Sequence, residues 1–85
     1  MSKKKWYIYI VECCDKTFYT GITTDLERRL NEHNCSDGKG ARYTRTRRPV
    51  KLIYNEAVSG MGKAIKREIA IKKMGRKGKE KLIKS

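Results

Sequence analysis

Two phenols and a guanidinium follow one another at ten-residue intervals near the start of the chain, at Tyr9, Tyr19 and Arg29. The first tyrosine lies in an apolar run, and the second opens a Tyr-Thr-Gly triplet at the end of the next apolar run. A phenol can transfer a proton, and a guanidinium can hold a phosphate through charge-assisted hydrogen bonds. No fold requires these side chains at these positions, so they are candidates for a site that cuts or grips a phosphodiester.

The charge balance also favours a polyanionic partner. The 85 residues include 22 Lys and Arg against 9 Asp and Glu, which gives a formal net charge of +13. A small domain with this excess attracts nucleic acid first and an anionic membrane second. A merely solvated basic surface and ribosomal-type RNA binding are the alternatives at this stage.

The chain length predicts a single small domain over residues 1–85, because so few residues cannot bury two cores. The sequence has no run of about 18 apolar residues, so we expect no membrane span. The apolar run after the N-terminal lysines is short and alternating and lacks a small-residue cleavage site, unlike a signal peptide. We therefore expect a cytoplasmic protein.

The cysteines do not predict a metal site. Cys13 and Cys14 are adjacent and would point to opposite faces of a strand. Together with His33 and Cys35 they lack the usual CxxC spacing of a zinc site. We expect reduced thiols, as in most cytosolic proteins.

Three segments have the composition of strands. Residues 6–12 carry aromatic and β-branched side chains and are apolar on both faces, which is typical of a central strand. Residues 18–22 would complete a hairpin with them, and residues 50–58 alternate as a third strand. Gly21 marks a place where the second strand bends or where another group approaches its backbone closely.

A first helix is predicted over residues 25–34. Thr24 and Glu27 fit a capping box, in which each side chain satisfies a backbone donor of the other residue. Arg29 lies beside the inward-facing stripe and Arg28 lies opposite it, so Arg29 is the better candidate for a site. The inward-facing stripe consists of Leu26, Leu30 and His33.

A second helix is predicted over residues 63–74, with Ile65 and Ile69 on one face and Gly75 at its end. A short final helix over residues 77–83 is possible. The element order is β-β-α-β-α with a possible further α. This predicts a small α/β (α+β) fold, in which a three-stranded sheet of antiparallel type is flanked by helices.

Four features in this order resemble the GIY-YIG nuclease domain: Tyr7-Ile8-Tyr9, Tyr19-Thr20-Gly21, Arg29 in the following helix and Glu68 in a later helix. The stretches WYIYIVEC, YTGITTDLERRLNEHN, GARYTRTRRPVKLIY and KREIAIKKM are similar to the small stand-alone bacterial members of that family. The resemblance covers about residues 6–75 and leaves a basic segment at 76–85. Tyr7 replaces the Gly of the first motif and Thr20 the Ile of the second, while both motif tyrosines are retained.

The resemblance implies that the protein is an endonuclease. It would hydrolyse DNA with one divalent ion, Mg²⁺ or Mn²⁺. No segment resembles a recognition helix with base-reading side chains, so we expect it to select its substrate by structure, such as a branch or damage, rather than by sequence. Tyr9 or Tyr19 would deprotonate or position the attacking water, which requires positive charge nearby to stabilise a phenolate. Arg29 would hold the scissile phosphate, although an ion pair with Glu32 or Glu27 is the simpler explanation for an arginine on a helix.

Glu68 would be the metal ligand by the same resemblance, because an oxygen-only site on one carboxylate suits Mg²⁺ or Mn²⁺. The alternative is an ion pair between Glu68 and Lys72, one helical turn later. His33 would shuttle a proton or contact phosphate, or else act as a cation near the C-terminus of its helix.

Further basic residues are expected to contact backbone phosphates without reading sequence. Tyr43, which lies among the basic residues of the loop, could stack on a base or complete the site. The set is Arg42, Tyr43, Arg45, Arg47, Arg48, Lys66, Lys72 and Lys73.

Two other functions fit the same residues. The domain could hold nucleic acid without cutting it, since the charge of +13 supports binding equally well. It could also be a catalytic subunit that requires a targeting protein, which would dock on an exposed apolar patch. The residues expected in that patch are Met61, Met74, Leu82 and Ile83.

Overall fold

Strand β1 (Trp6–Glu12) is the central strand of a three-stranded antiparallel sheet. It pairs with β2 (Phe18–Thr23) on one side and with β3 (Lys51–Val58) on the other, so the strand order is β2-β1-β3. These elements come from a computed structural model that describes residues 5–35, 44 and 46–84. The predicted antiparallel sheet and the central place of the first strand are confirmed.

Among the described residues, three helices accompany the sheet: α1 (Leu26–Cys35), α2 (Met61–Lys73) and α3 (Gly75–Lys84). The predicted α+β class and the order β-β-α-β-α-α are confirmed. The left-handed backbone of Gly75, with φ of 71°, separates α2 from α3 and favours a residue without Cβ. No helix in the described ranges is long and apolar enough to cross a bilayer.

The two faces of the sheet bury two separate apolar clusters, because successive β1 side chains point in opposite directions. Tyr9 and Val11 face α1 and pack against Leu26 and Leu30. The other cluster lies beneath α2 and α3 and is built from Ile8, Ile10, Ala64 and Ile71. The sheet is therefore the middle layer, and a side chain on β1 can reach α1 only from an odd-numbered position.

The predicted capping box at the start of α1 is wrong. The Asp25 carboxylate, through Oδ1, accepts a hydrogen bond from the Arg28 backbone N–H at 3.0 Å, so Asp25 caps the helix. The Thr23 hydroxyl accepts the Asp25 N–H at 3.1 Å and orders the turn before it. This turn places the Asp25 carboxylate, rather than the Thr24 hydroxyl, opposite the backbone donor three residues later.

The face that Ile65 and Ile69 share is not the face that α2 buries. Ile65 and Ile69 are 37% and 48% exposed, whereas Ala64 and Ile71 are fully buried. Ala64 and Ile71 are seven residues apart and share the face that packs on the sheet, whereas Ile65 and Ile69 lie about 100° and 140° around the helix from Ala64.

The predicted exposed patch of Met61, Met74, Leu82 and Ile83 does not form as a unit. Met61 is 52% and Met74 is 37% exposed, but Leu82 and Ile83 pack partly buried against the cluster beneath α2 and α3. The reason is that α3 is a full helix whose apolar side covers the sheet. The patch expectation is therefore wrong for its last two members.

Replacing Asp25 with Ala should lower the free energy of unfolding by about 1 kcal/mol, because the Arg28 N–H loses its acceptor. Thr24→Ala is the matched control and should change it far less. Urea unfolding of both variants measures the difference. Equal losses in the two variants would contradict the assignment of the cap to Asp25.

Candidate active site

Tyr9 is the centre of the candidate site and is only 2% exposed. Its hydroxyl lies 2.8 Å from Nε2 of His33, and it also forms a hydrogen bond with Arg29. The register of β1 and β2 places Gly21 opposite Tyr9. A Cβ at Gly21 would lie 2.5 Å from the Tyr9 hydroxyl oxygen, so only glycine leaves room for the phenol. The close approach predicted at Gly21 is confirmed, and Tyr9 is the group that approaches.

His33 links the two tyrosines to Thr44. The rings of Tyr9 and Tyr19 meet it edge-on, with centroids 5.8 and 5.4 Å away. Its Nδ1 lies 2.7 Å from the Thr44 hydroxyl, and its backbone carbonyl accepts a 2.6 Å hydrogen bond from Nε of Arg48. Both ring nitrogens are therefore hydrogen-bonded inside the protein, and the imidazole is held in one orientation.

The imidazole of His33 is fully buried and uncharged at neutral pH. Burial lowers the pKa of His33 from 6.5 to about 4, and the positive charge of Arg29 contributes to the decrease. The alternative in which His33 is a cation stabilised by the helix dipole is therefore wrong. Arg48, rather than the His33 ring, supplies the positive charge near the end of α1.

The pKa of the Tyr9 phenol changes in the direction opposite to the one expected. Burial raises it from 10.0 to about 12, and this outweighs the hydrogen bond and positive charge of Arg29, which lower it. Tyr9 is therefore a neutral phenol at pH 7. Tyr19 is half-buried, so its phenol is more accessible to a bound molecule than that of Tyr9.

Arg29 faces the site while Arg28 faces solvent, as the helical periodicity predicts; their side chains are 23% and 56% exposed. Nη1 of Arg29 lies 3.0 Å from Oε1 of Glu32, so the predicted ion pair with Glu32 exists. This ion pair does not exclude a site role, because the same guanidinium bonds Tyr9. Together the two contacts fix the guanidinium at the edge of the buried network.

Glu68 approaches the network from α2, the helix on the other face of the sheet. Its negative charge contributes to the raised pKa of Tyr9, which places the carboxylate within electrostatic range of the phenol. The side chain is 21% exposed, and Oε2 lies 3.4 Å from Nζ of Lys72, the alternative pairing expected from the sequence. The Glu68 carboxylate is therefore partly accessible to a bound ion, and Lys72 competes with that ion for it.

The donor set at Glu68 fits a hard divalent cation. Within the described residues, no group of three or more His, Cys, Asp or Glu could hold a metal ion, so a thiolate or imidazole site is not formed there. One carboxylate leaves most ligand positions to water and substrate oxygens, which is how Mg²⁺ commonly binds in phosphate chemistry. The cysteines form no disulfide; Cys13 is buried and Cys14 and Cys35 are exposed.

The residues expected to contact phosphate fall into different environments. Arg47 pairs with Asp15 at 3.0 Å, and Arg48 binds the carbonyl of His33, so both stabilise loops. Among the α2 lysines, Lys72 pairs with Glu68. Lys66 and Lys73 lie about 160° and 140° around the helix from Glu68, so they point away from it. Arg42, Tyr43 and Arg45 lie outside the described residues.

Sequence reasoning missed Thr44 as a member of the network. It is fully buried and binds His33 from a segment that is otherwise basic. A small hydroxyl residue within this segment carries no signal of its own, because its role depends on the position of His33 across the fold.

Residues 5–81 match the GIY-YIG catalytic domain. The chain belongs to the GIY-YIG family. It is 54% identical over 84 residues to a UPF0213 protein of Desulfotalea psychrophila, covering 99% of this chain and 76% of that protein. A UPF0213 protein of Syntrophus aciditrophicus is 55% identical over 84 residues, with 99% and 93% covered. The predicted membership of a small bacterial stand-alone group is confirmed.

Two solution NMR structures share this GIY-YIG fold. That of an E. faecalis protein has a TM-score of 0.66 and 47% identity, covering 98% of this chain and 86% of its own. That of a UPF0213 protein from Bacillus halodurans has a TM-score of 0.60 and 41% identity, covering 94% and 83%.

Gly21→Ala should lower the free energy of unfolding by about 1–3 kcal/mol, because the added methyl group overlaps the Tyr9 phenol. Gly62→Ala is the control, since no atom lies within 4 Å of a Cβ added there. Chemical unfolding measures both. A Gly21→Ala variant as stable as Gly62→Ala would contradict the packing of Tyr9 on Gly21.

The stability contributed by neutral His33 should be lost as pH falls from about 6.5 to about 4. In this range the unfolded chain binds a proton at the imidazole and the folded chain does not, so protonation favours unfolding by up to about 3 kcal/mol. NMR titration of this single histidine should give a midpoint near 4. A midpoint at or above 6.5 would show that the imidazole is not buried in this network.

Proposed function

We propose that this protein is an endonuclease that hydrolyses phosphodiester bonds of DNA with one divalent ion, Mg²⁺ or Mn²⁺, and selects substrates by their structure. The observation that carries the proposal is that Arg29 and Tyr19 contact the buried pair of Tyr9 and His33, and that the negative charge of Glu68 acts on the Tyr9 phenol. The three outer residues are each partly exposed, whereas the inner pair is buried. This arrangement separates groups that contact a substrate from groups that hold them in place.

Arg29 binds the scissile phosphate in this proposal. Its position is fixed by Glu32 and Tyr9, so little side-chain entropy is lost when a phosphate binds. Charge develops on the phosphate oxygens as the attacking water approaches, and a positioned guanidinium stabilises that charge most strongly in the transition state.

Tyr19 orients the attacking water, and Tyr9 is a positioning residue. The half-buried Tyr19 phenol can reach a bound water, whereas Tyr9 is almost inaccessible and has a pKa of about 12. Tyr9 instead holds both Arg29 and the neutral His33 ring, which packs edge-on against Tyr19. The buried pair thus fixes the two groups that touch the substrate.

Glu68 holds the divalent ion, which would add positive charge at the reacting phosphate. The ion pair with Lys72 is compatible with this role, because Lys72 lies one turn along α2 and can move to a substrate phosphate when the ion binds. A single carboxylate binds such an ion weakly, so the ion and the DNA are expected to bind together.

A second candidate function is nucleic-acid binding without cleavage. The ion pair of Glu68 with Lys72 and the high pKa of Tyr9 favour it, since both groups have structural roles without a metal. In a third, the domain cuts only with a targeting protein bound. Cleavage of DNA by the isolated chain distinguishes the first proposal from both alternatives.

Glu68→Gln should reduce Mg²⁺-dependent cleavage of supercoiled plasmid and branched DNA by about 100-fold or more, because the ion loses its carboxylate. Glu12→Gln is the matched control, since the Glu12 side chain is 22% exposed and also pairs with a lysine, at 3.8 Å from Nζ of Lys51. It should cleave like the wild type. Gel assays with both variants, with and without EDTA, measure the difference.

Cleavage that is equal in Glu68→Gln and Glu12→Gln would contradict the metal role of Glu68. If the wild type binds DNA in a salt-dependent way but never cuts it, the binding function replaces the nuclease proposal. Cleavage that begins only when a second protein is added supports the third function.

A further inference from the structure

A cleft of about 210 Å³ lies between the turn that joins β1 to β2 and the first turn of α3. Thr17 and Phe18 line it on the sheet side, and Gly75, Arg76 and Lys79 line it on the helix side. None of these residues belongs to the network around Tyr9. The cleft is therefore a separate feature of the molecule that presents two cationic side chains.

Lys79 is a cation without a counterion in the described part of the chain. Burial lowers the pKa of Lys79, and the positive charge of nearby Lys72 lowers it further. No described carboxylate forms a salt bridge with its ammonium group; Glu80, its neighbour in sequence, pairs with Arg76. An anion that binds in the cleft would therefore stabilise this partly buried ammonium group, which has a second cation nearby.

Arg76 is held in a fixed orientation at the same cleft. Its guanidinium lies 4.5 Å above the Phe18 ring, and Nη1 donates to the carbonyl oxygen of Lys16 at 2.6 Å. Nε faces Glu80 at 3.3 Å. A guanidinium has five N–H donors, so these contacts leave three without an acceptor among the described residues. The donors are positioned before any ligand binds.

We infer that this cleft binds a phosphate group of the nucleic-acid backbone, next to the candidate active site. Lys72 connects the two places, because it pairs with Glu68 at 3.4 Å and is close enough to act electrostatically on Lys79. A guanidinium fork and an ammonium group are the usual donors to phosphate. The inference rests on the proposed function, since it treats the bound phosphate as part of the same DNA strand.

The test compares Lys79→Gln with Lys81→Gln in binding to a labelled branched DNA over a range of salt concentrations. Lys79→Gln should weaken binding and reduce the slope of log K against log salt by about 0.9, the value for one phosphate contact. Lys81→Gln removes the same charge from the opposite side of α3 and should leave the slope unchanged. Lys79→Arg should retain the wild-type slope.

A structural role for Lys79 would give a different result. Thermal unfolding of Lys79→Gln should show no loss of stability, because the variant removes a poorly solvated cation that has no counterion. A fall in melting temperature together with an unchanged slope overturns the inference, and so does an equal slope in Lys79→Gln and Lys81→Gln. Wild-type protein that binds no DNA overturns it as well.

Inorganic phosphate serves as the second probe. Weak competition with DNA is the expected result, because a free phosphate gains none of the contacts around Arg29. Tight binding of inorganic phosphate that Lys79→Gln abolishes would assign the cleft to a free phosphate ligand and overturn the backbone assignment. A Lys79-dependent salt slope without any cleavage supports the cleft while removing the nuclease proposal, so the two failures are distinguishable.

Discussion

The hydrogen bond between the Tyr9 hydroxyl and Nε2 of His33 is the contact on which the rest of the candidate site depends. It joins the central strand to α1 inside the layer that the two elements bury. Both groups are removed from water, so breaking this hydrogen bond would leave a buried polar group unpaired, at a cost of about 1–3 kcal/mol. The burial of the two groups therefore stabilises the contact. Arg29, Tyr19 and Thr44 all take their positions relative to this pair.

The burial that stabilises the pair of Tyr9 and His33 also keeps both side chains uncharged. A phenol with a pKa of about 12 and an imidazole with a pKa of about 4 are both neutral over the whole physiological range. Neither carries a charge that would repel or attract a bound ion. The charges that a substrate meets are those of Arg29, Glu68 and Lys72 at the rim of the site, where solvent and substrate can reach them.

The sequence predicts the parts of this fold that depend on local pattern. The alternation of residues 6–12 indicates the central strand, and the placement of Arg29 and Arg28 follows from helical periodicity. The cap at Asp25 was missed because the choice between two adjacent cap residues depends on the turn made by Thr23. Local pattern specifies an element more reliably than it specifies the residue at its end.

The sequence indicates several members of the candidate site, but neither Thr44 nor the chemical state of the buried groups. Spacing and resemblance identify the two tyrosines, Arg29 and Glu68, but the direction of the Tyr9 pKa depends on how much water the fold excludes. The structure also shows which basic residues form contacts within the protein, and composition alone does not show this. Arg47 pairs with Asp15, Arg48 binds the carbonyl of His33, and Nε of Arg67 donates to both carboxylate oxygens of Glu56. Part of the charge of +13 therefore stabilises the protein itself.

The packing of Tyr9 on Gly21 restricts the order in which these two positions can change during evolution. A side chain at position 21 overlaps the phenol as long as Tyr9 is present, so the glycine can be replaced only after the tyrosine has become smaller. Losing the tyrosine first leaves Nε2 of His33 without its hydrogen-bond partner. The double change costs less than the sum of the two single changes, because the overlap disappears with the phenol, and this makes the two positions epistatic. Any functional change at this site has to cross that barrier.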